Sequence, residues 1–154
     1  MESVTTVAED RPLRVIIADR DDRTLDASAA ACSTCASVWC VLPALAAAPG
    51  LARQFLRRWA CPDHLSDPAD ALLVVSELVT NALIHGAPPI GLAMRCVDGQ
   101  SLVRVTDSGE PPILQRRPAA ADAVSGRGLR LLEVLATDWG VDTHANGKTF
   151  WFTL

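Results

Sequence analysis

Residues 68–86, "PADALLVVSELVTNALIHG", carry four groups able to do chemistry: Asp70, Glu77, Asn81 and His85. At about 100° per residue these four fall within an arc of roughly 80° on a helix. A carboxylate and an amide one turn apart suit two tasks. One is general-base work, and the other is oxygen ligation of a hard cation such as Mg²⁺. Eleven of the eighteen residues from Pro68 to His85 are Ala, Val, Leu or Ile, too many for a helix lying open on the surface. The stripe is therefore expected in a groove, where polar groups need partners. The spacing is equally compatible with Glu77 and Asn81 at the edge of a core and His85 meeting the helix dipole.

Two downstream segments add to this. "VTDSGEPP" places Asp107 at the end of a strand, followed by Gly109. "SGRGLRLL" places Gly126 and Gly128 at the start of a helix, where open backbone N–H groups and the helix dipole favour an anion such as phosphate. An ordinary loop-to-helix turn carries the same two glycines. The ordered series E-x-x-x-N, D-x-G, long loop, G-x-G-L is much more specific than any one of its parts.

The elements that position these groups can be read from periodicity and turn signals. "SVWCVLP" is a strand stopped by Pro43, and "PGLARQFLRRWA" a helix with Leu51, Phe55, Leu56 and Trp59 on one face. Asp67 is placed to cap a helix that opens with Pro68, runs to His85 and stops at Gly86. "PPIGLAMRCV" and "QSLVRVTD" flank Asp98-Gly99, a pair suited to a type I′ hairpin turn. Residues 108–125 read as a loop, and "GRGLRLLEVLATDWG" as a helix with Leu131, Leu132 and Leu135 on one face. "VDTHA", "NG" and "KTFWFTL" form a second hairpin. The expected fold class is α/β in the α+β sense: a two-layer sandwich with a mixed, mostly antiparallel sheet and about three helices on one face.

The bounds on function are broad. A length of 154 residues suits one domain. The net charge is −4, and basic residues cluster only in pairs such as Arg57-Arg58 and Arg116-Arg117, which argues against direct nucleic-acid binding. No apolar run is long enough to span a bilayer, and "MESVTTVAEDRPLR" lacks the form of a secretory signal, so a cytoplasmic protein without a membrane partner is expected. Residues 1–36 read as an N-terminal extension, partly disordered, containing one short strand at "LRVIIAD", and residues 37–154 as the main domain. The five cysteines are Cys32, Cys35, Cys40, Cys61 and Cys96. "CSTC" at 32–35 has the spacing of half a zinc site or a redox pair, but no second pair follows it, so incidental thiols are expected.

The ordered series resembles the GHKL ATPases, the Bergerat-fold superfamily that includes histidine-kinase ATP-binding domains. Within it, "WCVLPA", "ELVTNALIHG", "VRVTDSGEPP", "GRGLRLLEVLATDWGV" and "GKTFWFTL" are most similar to small actinobacterial anti-sigma-factor serine kinases. The resemblance covers about residues 37–154. It implies ATP and Mg²⁺ as cofactors, with Asn81 holding the metal, Glu77 activating the attacking hydroxyl or water, and Asp107 accepting from the adenine 6-amino group. Gly109 would let the base approach, residues 110–125 would form a lid, and Gly126, Arg127 and Gly128 would lie beside the phosphates. It further implies an ATP-dependent serine/threonine protein kinase with a sigma factor and an anti-sigma-factor antagonist as partners; such relatives are often homodimers. The common D-x-G-x-G is here "DSGEP", with Pro111 at the second glycine. That departure leaves open a second function, a nucleotide-gated partner-binding module with little or no phosphoryl transfer.

Overall fold

A computed structural model describes residues 4–7, 13–18, 37–65, 68–110 and 126–154. The strands are β1 (Val4–Val7), β2 (Leu13–Ala18), β3 (Ser37–Leu42), β4 (Ile90–Val97), β5 (Gln100–Asp107), β6 (Asp138–His144) and β7 (Gly147–Thr153). The helices are α1 (Ala48–Trp59), α2 (Ala69–His85) and α3 (Gly126–Leu135). The described strands form one seven-stranded sheet in the order β1-β2-β3-β4-β5-β7-β6, and every pairing is antiparallel. The fold class is thus as expected, a two-layer α+β sandwich, without the parallel component that a mixed sheet would contain. The strand expected at 13–19 is present as β2, Leu13–Ala18, and pairs with β3, while β1, which the sequence did not suggest, adds a further strand at the edge.

The register builds the core in rows. Cys40, Leu92, Val105 and Phe150 are successive cross-strand partners, and so are Val38, Met94, Val103 and Phe152. Because side chains alternate across a sheet, both rows lie on the face the helices cover. Phe55 and Leu56 of α1, Val74, Val75, Leu78 and Val79 of α2, and Leu132 of α3 close over them. Burial also holds the thiol of Cys40 up to about 12, so it is an inert core side chain and not a nucleophile.

Local signals explain most boundaries. The β4–β5 turn has positive φ at both Asp98 (49°) and Gly99 (77°), as a type I′ turn requires. Helix α2 begins after Pro68, and the expected cap Asp67 lies outside the described residues. Two expectations near the C-terminus are corrected. Helix α3 ends at Leu135, not at Gly140, because Thr137 N–H already donates to the Thr153 carbonyl (2.8 Å) and the chain enters β6. The second hairpin turns at Ala145–Asn146, and Gly147 pairs with His144 as the first residue of β7. Here strand pairing overrides the local Asn-Gly turn signal.

Phe152 is fully buried in the central row. Phe152→Ala is expected to cost about 3–5 kcal/mol of unfolding free energy, measured by urea denaturation, through lost burial and a residual cavity. A loss below about 1 kcal/mol would show that the row is not the packed centre of the fold.

Candidate functional site

Ser101, Val103, Val105 and Asp107 alternate onto the helix-covered face of β5, so the strand ends by delivering a carboxylate into the core. Asp107 is only 2% exposed. Its partner comes from the sheet itself: Lys148 of β7 lies directly opposite in the register and donates from Nζ to Asp107 Oδ1 at 2.8 Å. The same Nζ donates to the Glu110 carbonyl at 3.0 Å, and Gly109 N–H donates to Asp107 Oδ1 at 2.8 Å. A buried carboxylate persists only when it is paired and hydrogen-bonded in this way. Both bonds fall on Oδ1, so Oδ2 is the oxygen that could accept from a ligand. Ionised carboxylate oxygens only accept, so a ligand amino group fits there and a carbonyl does not.

Close packing holds this end together. A Cβ on Gly86 would stand 2.6 Å from Asp107 Cγ, and one on Gly109 would stand 2.6 Å from Gly86 Cα. Gly86 has φ −101°, an ordinary value, so a glycine is required there for space and not for a left-handed helix cap. The end of α2 therefore abuts the end of β5, with Ser108 N–H donating to the Ala87 carbonyl at 2.8 Å.

The second end lies further back along α2. A Cβ on Gly128 would stand 2.7 Å from Asn81 Nδ2 and 3.7 Å from Glu77 Cβ. The first turn of α3 thus rests on the ridge carrying Glu77 and Asn81, and both side chains are half-buried. Asp70 and His85 belong to the same stripe by spacing but are exposed. Leu73 and Ile84, which border the stripe, are 46% and 59% exposed, so its outer edge faces solvent while its centre meets α3. Gly126 is the first residue of α3 and Arg127 the second, while of the expected lid at 110–125 only Glu110 is among the described residues, Pro111 and the rest lying outside them. Helix α2 is held against α1 by Arg53, which donates to Ser76 Oγ at 3.0 Å, and Ser76 Oγ donates in turn to the Leu72 carbonyl at 2.6 Å.

Lys148 is a charged site residue not apparent from the sequence. Its signal was a lone lysine in "GKTFWFTL", an apolar strand, where a cation must have a buried anionic partner. The partner could not be named without the β5–β7 register.

Lys148→Met leaves Asp107 buried beside an apolar chain and is expected to destabilise the fold by about 3–5 kcal/mol. The double variant Asp107→Asn/Lys148→Met should lose less than the sum of the two single changes, by at least about 1 kcal/mol in urea unfolding. Additive losses would mean that the two groups do not act as a pair.

A model described as "Histidine kinase-like ATPase domain" matches residues 41–154, most of the chain. Among solved structures, the chain is similar to the RsbU and RsbW domains of Rv1364c from Mycobacterium tuberculosis, with 27% identity and a TM-score of 0.57. The match covers 76% of this chain but 31% of that one. No curated protein matches the chain. Because that family model spans most of its length, this chain belongs to the histidine kinase-like ATPase family.

Proposed function

We propose that the protein binds Mg-ATP between α2, the lid expected at 110–125 and the start of α3, and works as a partner-switching regulator of the anti-sigma-factor type. The observation carrying this reading is the two-ended site built along α2. Asp107 abuts Gly86 at one end, and Gly128 meets Asn81 and Glu77 at the other. At about 1.5 Å per residue, Asn81 lies about 7.5 Å and Glu77 about 13.5 Å back along the helix from Gly86. An adenine base at one end and a chain of phosphates reaching the other fit that order.

The residues present fit such a ligand. Asp107 Oδ2 offers an acceptor to the 6-amino group of adenine. The close contacts around Gly86 and Gly109 keep that part of the site free of side-chain bulk. The Asn81 side chain would ligate Mg²⁺ through its amide oxygen, and the first turn of α3, with Gly126, Arg127 and Gly128, would receive phosphate oxygens on its N–H groups. Mg²⁺, when bound, supplies neutralisation of phosphate charge. Glu77 is half-buried one turn before Asn81 and would orient a serine or threonine hydroxyl of a partner and accept its proton.

The proposed activity is ATP-dependent phosphorylation of an anti-sigma-factor antagonist, with a sigma factor as the alternating partner. The similarity to RsbW domains supports the regulatory class, and Glu77 supports chemistry, since a pure binder has no need of a base. Pro111, in place of the second glycine of D-x-G-x-G, favours a second reading in which nucleotide binding alone changes partner affinity.

Glu77→Gln keeps shape and hydrogen-bonding reach but cannot take a proton. Nucleotide affinity is expected to survive while phosphoryl transfer to an antagonist protein falls about 10²–10⁴-fold. Asn81→Ala should lose both Mg²⁺-dependent affinity and turnover. The pair is measured by calorimetry with and without Mg²⁺ and by transfer of labelled phosphate. A Glu77→Gln protein that transfers phosphate at the wild-type rate would remove Glu77 from the chemistry. Loss in both variants only in proportion to unfolding would return them to a packing role.

A further inference from the structure

A second cluster of chemically competent side chains lies at the opposite end of the sheet. Cys61 and His64 sit in the short connection after α1, in a turn closed by His64 N–H and Leu65 N–H on the Cys61 carbonyl (3.1 and 2.9 Å). Positions i and i+3 of such a turn point the same way. Cys96 comes from β4, where Ile90, Leu92, Met94 and Cys96 alternate onto the helix-covered face. The Cys61 Sγ, Cys96 Sγ and a His64 ring nitrogen all lie within 4.8 Å of one another, and all three residues are half-buried. Cys96 pairs with Ser101, six residues before Asp107 on β5. At about 3.3 Å per residue the cluster is about 20 Å from the nucleotide site along the strand.

We propose that Cys61, His64 and Cys96 form a zinc site with two thiolates and one imidazole, its fourth position taken by water or an exogenous ligand. Tetrahedral zinc with bonds of about 2.3 Å to sulfur and about 2.0–2.1 Å to nitrogen needs donor atoms roughly 3.5–3.8 Å apart. Separations within 4.8 Å reach that spacing by small side-chain rotations. The donor set is soft and nitrogen-containing, which selects zinc over the Mg²⁺ expected at Asn81. Binding replaces two S–H bonds by two Zn–S bonds and releases two protons to solvent, so with water in the fourth position the filled site has no net charge. The site joins the α1–α2 connection to the end of β4. It is separate in position and chemistry from the nucleotide site and does not depend on that reading.

The test is a Co²⁺ titration of the reduced, metal-stripped full chain. One equivalent of Co²⁺ should bind with a thiolate-to-cobalt charge-transfer band and tetrahedral d–d absorption, and Zn²⁺ should displace it. Cys61→Ser, His64→Gln and Cys96→Ser should each weaken binding at least tenfold, while Cys32→Ser/Cys35→Ser should leave it unchanged. Zinc at a hundredfold excess over its Kd should raise the wild-type Tm by about 5–10 °C. The same zinc should leave the Tm of the Cys96→Ser variant unmoved, an outcome independent of the absorption signal. Three results would overturn the site: no stoichiometric binding, binding lost only in Cys32→Ser/Cys35→Ser, or a Cys61–Cys96 disulfide formed in place of metal binding.

Discussion

The Asp107–Lys148 ion pair is the constraint around which the functional end of the molecule is arranged. Strands β5 and β7 run side by side with apolar partners facing the helices, Val103 with Phe152 and Val105 with Phe150. The next pair on that face is charged, and both members are buried. An unpaired charge there would be very costly, so the register of β5 and β7 is set by this pair as well as by the core rows. The surrounding chain must also come close. Gly109 and Glu110 supply backbone groups to the pair, and Gly86 brings the end of α2 against it. Lys148 thereby compensates the charge of Asp107 through one of its two carboxylate oxygens.

Helix α2 carries the rest. Its buried apolar residues, Val74, Val75, Leu78 and Val79 among them, lie in the core, and Glu77 and Asn81 on its polar ridge meet the first turn of α3. One element therefore serves as both core and site, which is why its sequence is so apolar around Glu77 and Asn81. Its inner side is fixed by packing and its ridge by contact with a glycine, so the spacing between the Asp107 end and the Glu77 end is set by a rigid helix and not by a loop. Such an arrangement would suit the long, extended ligand proposed above.

Much of this was legible in the sequence, and for physical reasons. Helix α2 was readable because a long apolar run ended in Gly86, and the β4–β5 hairpin because Asp98-Gly99 accepts positive φ at both positions. The end of α3 was misread because "ATDWG" continues an acceptable helical pattern, and only pairing with β7 turns it into strand. Gly86 ends α2 as its sequence indicates, but the sequence does not show that it also gives room beside Asp107. Lys148 and the Cys61–His64–Cys96 cluster were missed for one shared reason. Each depends on contacts between residues far apart in sequence, and periodicity carries no information about those.

The most direct measurement is calorimetric titration of the wild-type protein with Mg-ADP and Mg-GDP under the same conditions. An acceptor-only Asp107 oxygen at the base position predicts one equivalent of Mg-ADP bound, with Mg-GDP weaker by roughly 10–100-fold, since a guanine carbonyl would face a carboxylate instead of donating to it. Equal affinity for the two nucleotides, or no binding of Mg-ADP by the folded protein, would contradict an adenine-nucleotide site at Asp107.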